Sequence, residues 1–110
     1  MGRCLRIFAG LLSIVGMGCS HAPGRVTDED PSDKIPAIKV AVEHKDKAAI
    51  PSLIADLNSD DSAVRFYAID ALQRLTGQTL EYRYYDDIEK RKAAVARWLA
   101  WEHSHPNNGR

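Results

Sequence analysis

Between Lys34 and His103 the apolar residues recur at helical intervals, and no stretch sustains polar–apolar alternation with a period of two. A half-buried strand needs that alternation, whereas a helix needs an apolar stripe at i, i+3, i+4 and i+7, so the pattern predicts an all-α domain. Ile50, Leu53, Ile54 and Leu57 give the clearest stripe, predicting a helix over 47–58 with Pro51 near its start. A preceding helix over 34–45 places Ile35, Ile38, Ala41 and Val42 on one face. Pro36 falls in its opening turn, where the missing N–H costs nothing.

Asp60, Asp61 or Ser62 can cap a third helix over 62–75 by accepting its free N–H groups. That helix buries Val64, Ala68, Ala71, Leu72 and Leu75, Ile69 widens the stripe, and Gly77 supplies the C-terminal cap. A fourth helix over 86–103 sets Ile88, Ala94, Val95, Trp98 and Leu99 on or near one face. Asp86 and Asp87 stand at its N-terminus, where the helix dipole favours negative charge. The connecting QTLEYRYYDD is rich in aromatic residues, so Leu80 and some of Tyr82, Tyr84 and Tyr85 are expected to lie across the open end of the core.

The stretch AAIPSLIADLNSDDSAVRFYAIDALQRLTG resembles a HEAT repeat of the PBS-lyase HEAT-like kind. It has an apolar helix with an early proline, an Asp-containing turn, Val-Arg, and a second helix with small residues and a leucine. Asp61, Val64, Arg65, Ala68, Ala71 and Leu72 carry the match. The resemblance implies a short HEAT-like α-solenoid fragment of about four helices. One repeat buries too little by itself, so the first and last helices must close its two ends. Arg65 is expected to reach back to Asp61, or to a carboxylate on an adjacent helix pair, and Trp98 to supply a large apolar area to the core.

The beginning of the chain has a different character. Arg3 and Arg6 precede a run of Leu5, Ile7, Phe8, Leu11, Leu12, Ile14 and Val15, which reads as an export signal. The uncharged stretch from Arg6 to Ser20 is about 13 residues, short of the roughly 18 that a spanning helix needs. VGMGC resembles a bacterial lipoprotein signal, in which the cysteine is acylated and becomes the first residue of the mature chain. The resemblance nominates Cys19 as the lipid attachment point, although Gly16 occupies the place three residues earlier where Leu or Val is typical. It implies a membrane-anchored envelope lipoprotein carrying palmitate-type chains, at the outer membrane ahead of the inner. Secretion or a periplasmic location, with cleavage after Ala22, is the alternative.

These features divide the chain into a signal at 1–18, a flexible acidic linker at 19–33, a helical domain at 34–104 and a frayed tail at 105–110. The 110 residues carry 15 basic and 15 acidic side chains. Removing Arg3 and Arg6 with the signal takes the basic count from 15 to 13, a formal charge of −2. No field of that size draws a protein to nucleic acid, and Lys90, Arg91 and Lys92 read as a wet helix face. Cys4 and Cys19 both lie outside the helical region, so no disulfide framework holds it.

The candidate contact residues fall in two groups. On the outer side of the third helix stand Phe66, Asp70, Gln73 and Arg74, the strip that the HEAT resemblance assigns to a protein partner, with Asp70 and Arg74 also placed for an i, i+4 ion pair. Tyr82, Tyr84, Tyr85 and Trp101 interleave with Arg83 and Arg97, a combination suited to glycan or peptide. No Ser-His-Asp signature, phosphate loop or HExxH motif occurs, so no enzyme, cofactor or small-molecule substrate is expected. The acidic run of Asp28, Glu29, Asp30 and Asp33 lacks the glycine and closing glutamate of a calcium loop, and HSHP at 103–106 has poor spacing for a metal. The expectation is a membrane-tethered module that binds a protein partner, with an envelope ligand-binding protein as the alternative.

Overall fold

A computed structural model describes residues 30–106. The export signal, Cys19 and most of the acidic linker lie outside the described residues, as do positions 107–110. Within them the chain is all-helical. Helix α1 spans Pro31–Glu43, a 3-10 turn Lys47–Ala49 leads into α2 at Ile50–Asp56, α3 spans Ser62–Thr76 and α4 spans Ile88–Ser104.

Local chemistry sets most of these boundaries, in places differently from the sequence expectation. Helix α1 begins at Pro31 because the Asp30 carboxylate accepts the Ser32 N–H at 2.9 Å and Pro31 tolerates the first helical position. Pro36 therefore lies inside the helix rather than in its opening turn. The expected continuous helix over 47–58 is divided. Pro51 has no N–H to donate back to Lys47, and the first turn closes as 3-10, with the Ile50 N–H on the Lys47 carbonyl and Asp46 as cap.

At α3 the cap is Asp61, whose Oδ1 accepts from the N–H groups of Ala63 at 2.8 Å and Val64 at 3.1 Å. Gly77 ends the helix with φ 76°, a left-handed conformation that costs glycine little, and its N–H closes on the Gln73 carbonyl. Asp87 caps α4 through the Lys90 N–H.

Helix α3 packs against both α1 and α2, and α4 packs on α2. The core between them comprises Ile38, Ala41, Ile50, Leu53, Ile54, Leu57, Ala68, Ala71, Leu72, Val95 and Trp98, with the Tyr82 ring entering from the α3–α4 connection. Two residues expected on the buried face of α4 are instead exposed: Ile88 at 56% and Leu99 at 53%. The inward stripe of α4 is set by Ala94, Val95 and Trp98, with Trp101 half-buried beside them. Leu99 follows Trp98 by one residue and so turns about 100° away from it.

Candidate functional site

The connection from Gln78 to Asp87 is the most elaborate part of the molecule. Leu80 and Glu81 adopt consecutive left-handed backbone conformations, φ 51° and 61°, although neither is glycine. Each such residue carries a steric cost of roughly 1–2 kcal/mol, so the turn must be imposed from outside. Helix α4 imposes it: Arg97 Nε donates to the Leu80 carbonyl at 2.7 Å and Trp98 Nε1 to the Thr79 carbonyl at 3.1 Å. The Tyr82 hydroxyl then donates to the Leu57 carbonyl at 2.7 Å, tying the connection to the end of α2. Burial raises the Tyr82 phenol above its ordinary pKa, against the opposing pull of the Arg65 and Arg91 guanidiniums.

Arg65 completes the brace. Its Nε donates to the Tyr84 carbonyl at 3.1 Å and its Nη1 to the Ser59 carbonyl at 2.7 Å. The expectation that Arg65 would pair with Asp61 is therefore replaced, because the Asp61 carboxylate is occupied with capping α3 while two bare carbonyls face the guanidinium. Arg65 still joins separate elements, but through backbone rather than through charge.

With Tyr84 fixed in this way, its ring stands edge-to-face on Phe66, with centroids 5.2 Å apart. Phe66 meets Tyr67 and Tyr84 meets Tyr85 in the same geometry, each pair also at 5.2 Å. The Lys39 ammonium lies over the Tyr67 ring at 4.9 Å. The result is a continuous aromatic strip from α1 across α3 to the connection. Phe66 is 42% exposed and Tyr85 67% exposed. A cleft of about 190 Å³ runs along this strip, lined by Phe66, Ile69, Asp70 and Gln73 on α3 and by Arg83, Tyr84 and Tyr85 opposite.

The structure thus merges the third-helix strip with most of the aromatic group. Arg74 stands beside the cleft and pairs with Asp70 at 2.9 Å, an exposed i, i+4 contact. Trp101 does not join them: its ring packs against Trp98, with centroids 5.5 Å apart, and stacks on His105 at 4.3 Å. His105, assigned to the frayed tail, also bonds through Nδ1 to the Trp101 carbonyl at 2.7 Å and so closes the end of α4. Trp98 is fully buried and is a core residue.

One pair escaped the sequence reading altogether. Lys34 and Asp56 are both buried, and Lys34 Nζ lies 2.9 Å from Asp56 Oδ1, linking the first turn of α1 to the end of α2. The signal for it was slight: Lys34 shares the inward stripe of α1 with Ile38 and Ala41, and Asp56 that of α2 with Leu53. Among the described residues no cluster of three His, Cys, Asp or Glu side chains could hold a metal ion, and no helix is long and apolar enough to cross a membrane. No family model matches the chain, and no curated protein or solved structure matches it.

Proposed function

We propose that this chain is a membrane-tethered, HEAT-like protein-interaction module of the bacterial cell envelope, anchored by lipid on Cys19 and contacting a protein partner through the Phe66–Tyr84–Tyr85 strip. The exposed aromatic strip carries the reading. Aromatic side chains supply large contact area at low conformational cost, and this one is held by backbone bonds on both sides of the cleft, so little ordering is left to be done on binding. Asp70, Gln73, Arg74 and Arg83 give it a polar rim.

The packing order is consistent with the HEAT-like part of the reading. In stacked helix pairs, each helix meets its own partner and the equivalent helix of the neighbouring pair. Pairing of α2 with α3, α1 against α3 and α4 against α2 follows that rule, with α1 and α4 as the halves of incomplete neighbours. No catalytic constellation forms part of this reading. The second reading, an envelope receptor for glycan or peptide, rests on Tyr84 and Tyr85 with Arg83 alongside, and it proceeds without Trp101, which packs elsewhere.

The test is a photocrosslinking amino acid placed at Phe66 or Tyr85 in the full chain in cells. A discrete crosslinked protein, abolished by Tyr84→Ala with helical content intact, is the expected result. Crosslinks absent at these positions but present on the opposite surface of α4 would overturn the assignment, and specific retention on a glycan array would favour the second reading. Metabolic labelling with a palmitate analogue tests the anchor: label retained in Cys19→Ser excludes lipidation at that residue.

A further inference from the structure

A second cavity, of about 610 Å³, opens between the same connection and α4. Its floor is α4, where Lys90, Ala93 and Arg97 follow one another at i, i+3 and i+7 and so share a face. The connection forms its wall through Thr79, Tyr82 and Arg83. Two long cationic side chains thus flank the methyl of an exposed alanine, with a third facing them, and the small residue is what leaves the space open. Glu81 and Asp86 also line it. The three cations outnumber these two carboxylates, and Arg83, Lys90 and Arg97 take part in none of the ion pairs found among the described residues.

Arg97 is already positioned by its bond to the Leu80 carbonyl, and its second contact, Nη2 to the Glu81 carbonyl, is long at 3.5 Å. Its guanidinium is therefore held in place with donor capacity to spare. Arg91, adjacent to Lys90, bonds the Asp86 carbonyl at 3.0 Å and adds a further positive charge nearby. One held guanidinium with two further cations around an open, small-floored recess favours a compact oxyanion carrying more than one charge, and guanidinium forks match phosphate oxygens in particular.

We propose that the recess between α4 and the connection, bounded by Arg83, Lys90, Ala93 and Arg97, binds a phosphate-bearing ligand. The recess shares Thr79, Tyr82 and Arg83 with the aromatic cleft, but its α4 floor of Lys90, Ala93 and Arg97 is its own, so the inference does not rest on the HEAT-like reading. The phosphoryl group could belong to a soluble phosphate compound or to an anionic lipid headgroup, and the two sources share the same chemistry.

The experiment compares the full chain with its Ala93→Glu variant, which fills the floor with a like-charged group at an exposed helical position. Binding is measured by calorimetry against inorganic phosphate and pyrophosphate at low salt, and by flotation with vesicles of phosphatidylglycerol in phosphatidylcholine. Comparing the two proteins cancels whatever the N-terminal anchor contributes to flotation. Circular dichroism establishes that both are equally helical. The expected result is saturable binding that weakens about tenfold or more in Ala93→Glu, and similarly in Arg83→Ala, as loss of a charge-assisted contact implies. Binding of the free anions identifies a soluble ligand, and an effect confined to the anionic vesicles identifies a headgroup. Identical behaviour of wild type and Ala93→Glu in both assays, or acetate binding as tightly as phosphate, overturns the proposal.

Discussion

The two connections that flank α3 solve the same problem in opposite ways. Between α2 and α3 the chain turns within Leu57–Asp61 mostly through its own neighbours: the Ser59 N–H bonds the Asp56 carbonyl, Ser59 Oγ accepts from the Asp61 N–H, and Asp61 caps the next helix, with Arg65 and Tyr82 adding donors to the Ser59 and Leu57 carbonyls. Between α3 and α4 the chain takes a longer route through two left-handed residues, held by Arg65, Arg97 and Trp98, which lie 16 to 19 residues away from their acceptors along the chain, and by Tyr82, 25 residues from its own. A turn made from local bonds can form early and stand nearly alone. One made from distant donors exists only once the core has assembled, and it carries both candidate surfaces of the molecule.

The contrast predicts where damage will be greatest. Trp98→Ala removes the largest fully buried side chain and the indole bond to Thr79 together, so the connection and the core should fail in one step. The expected cost is about 3–5 kcal/mol, comparable with the whole stability of a small domain. Thermal denaturation followed by circular dichroism should show a transition lowered by tens of degrees or lost. A shift of only a few degrees would mean that α4 contributes little to the core and that the comparison misplaces the dependence.

Tyr82→Phe tests the same dependence with one atom. Losing the hydroxyl leaves the Leu57 carbonyl without its donor and should cost about 1–2 kcal/mol at neutral pH. The pH dependence has a definite sign. The folded phenol has a raised pKa, so its stabilising contribution is complete below the unfolded value of about 10 and fades as pH rises through the folded value. Melting curves from pH 8 to pH 11 should therefore show the gap between wild type and Tyr82→Phe closing at the alkaline end. A gap that widens there would contradict burial of a neutral phenol.

At the short turn the effect should be smaller and confined. Asp61→Ala removes the acceptor of the Ala63 and Val64 N–H groups, with an expected loss of about 1 kcal/mol. Hydrogen exchange should speed up in the first turn of α3 while the Gln78–Asp87 segment keeps its protection. Accelerated exchange in both places would show that the two connections are coupled and that the short turn is less autonomous than its bonds imply.

The same contrast explains what could be read in the amino-acid sequence. The helical stripes, a cap among Asp60, Asp61 and Ser62, and the Gly77 terminus depend on residues a few positions apart, and each was legible; that the cap is Asp61 came from the structure. So was the role of the connection as a cover for the core, because three tyrosines in four positions are costly to leave in water. The partners of Arg65 and Arg97 were not legible, since a guanidinium satisfied by backbone carbonyls leaves no complementary charge to find. Lys34 and Asp56 were hidden for a related reason: each occupies a helical position that a hydrophobic pattern assigns to apolar side chains. Joining the Phe66 strip to Tyr84 required the fold of the connection, which spacing along the chain does not determine. Ile88 and Leu99 fit the stripe of α4 only approximately, and the fully buried Trp98 settled the helix rotation that exposes them.

The finest test acts on the strain itself. Glu81 has φ 61° and an exposed side chain, so nothing in packing demands a glutamate there. Glu81→Gly relieves the left-handed penalty of roughly 1–2 kcal/mol but widens the freedom of the unfolded chain, which offsets roughly 0.5–1 kcal/mol of that gain. The net expectation is a protein stabilised by about 0–1.5 kcal/mol, visible as a small upward shift in the melting temperature. If the Arg97 and Trp98 bonds hold the turn against a real backbone penalty, the stabilisation should persist in an Arg97→Lys background, where the brace is weaker and the strain matters more. Destabilisation by glycine in both backgrounds would mean that the conformation at Glu81 is intrinsically comfortable, and the long connection would then need its distant donors for position alone.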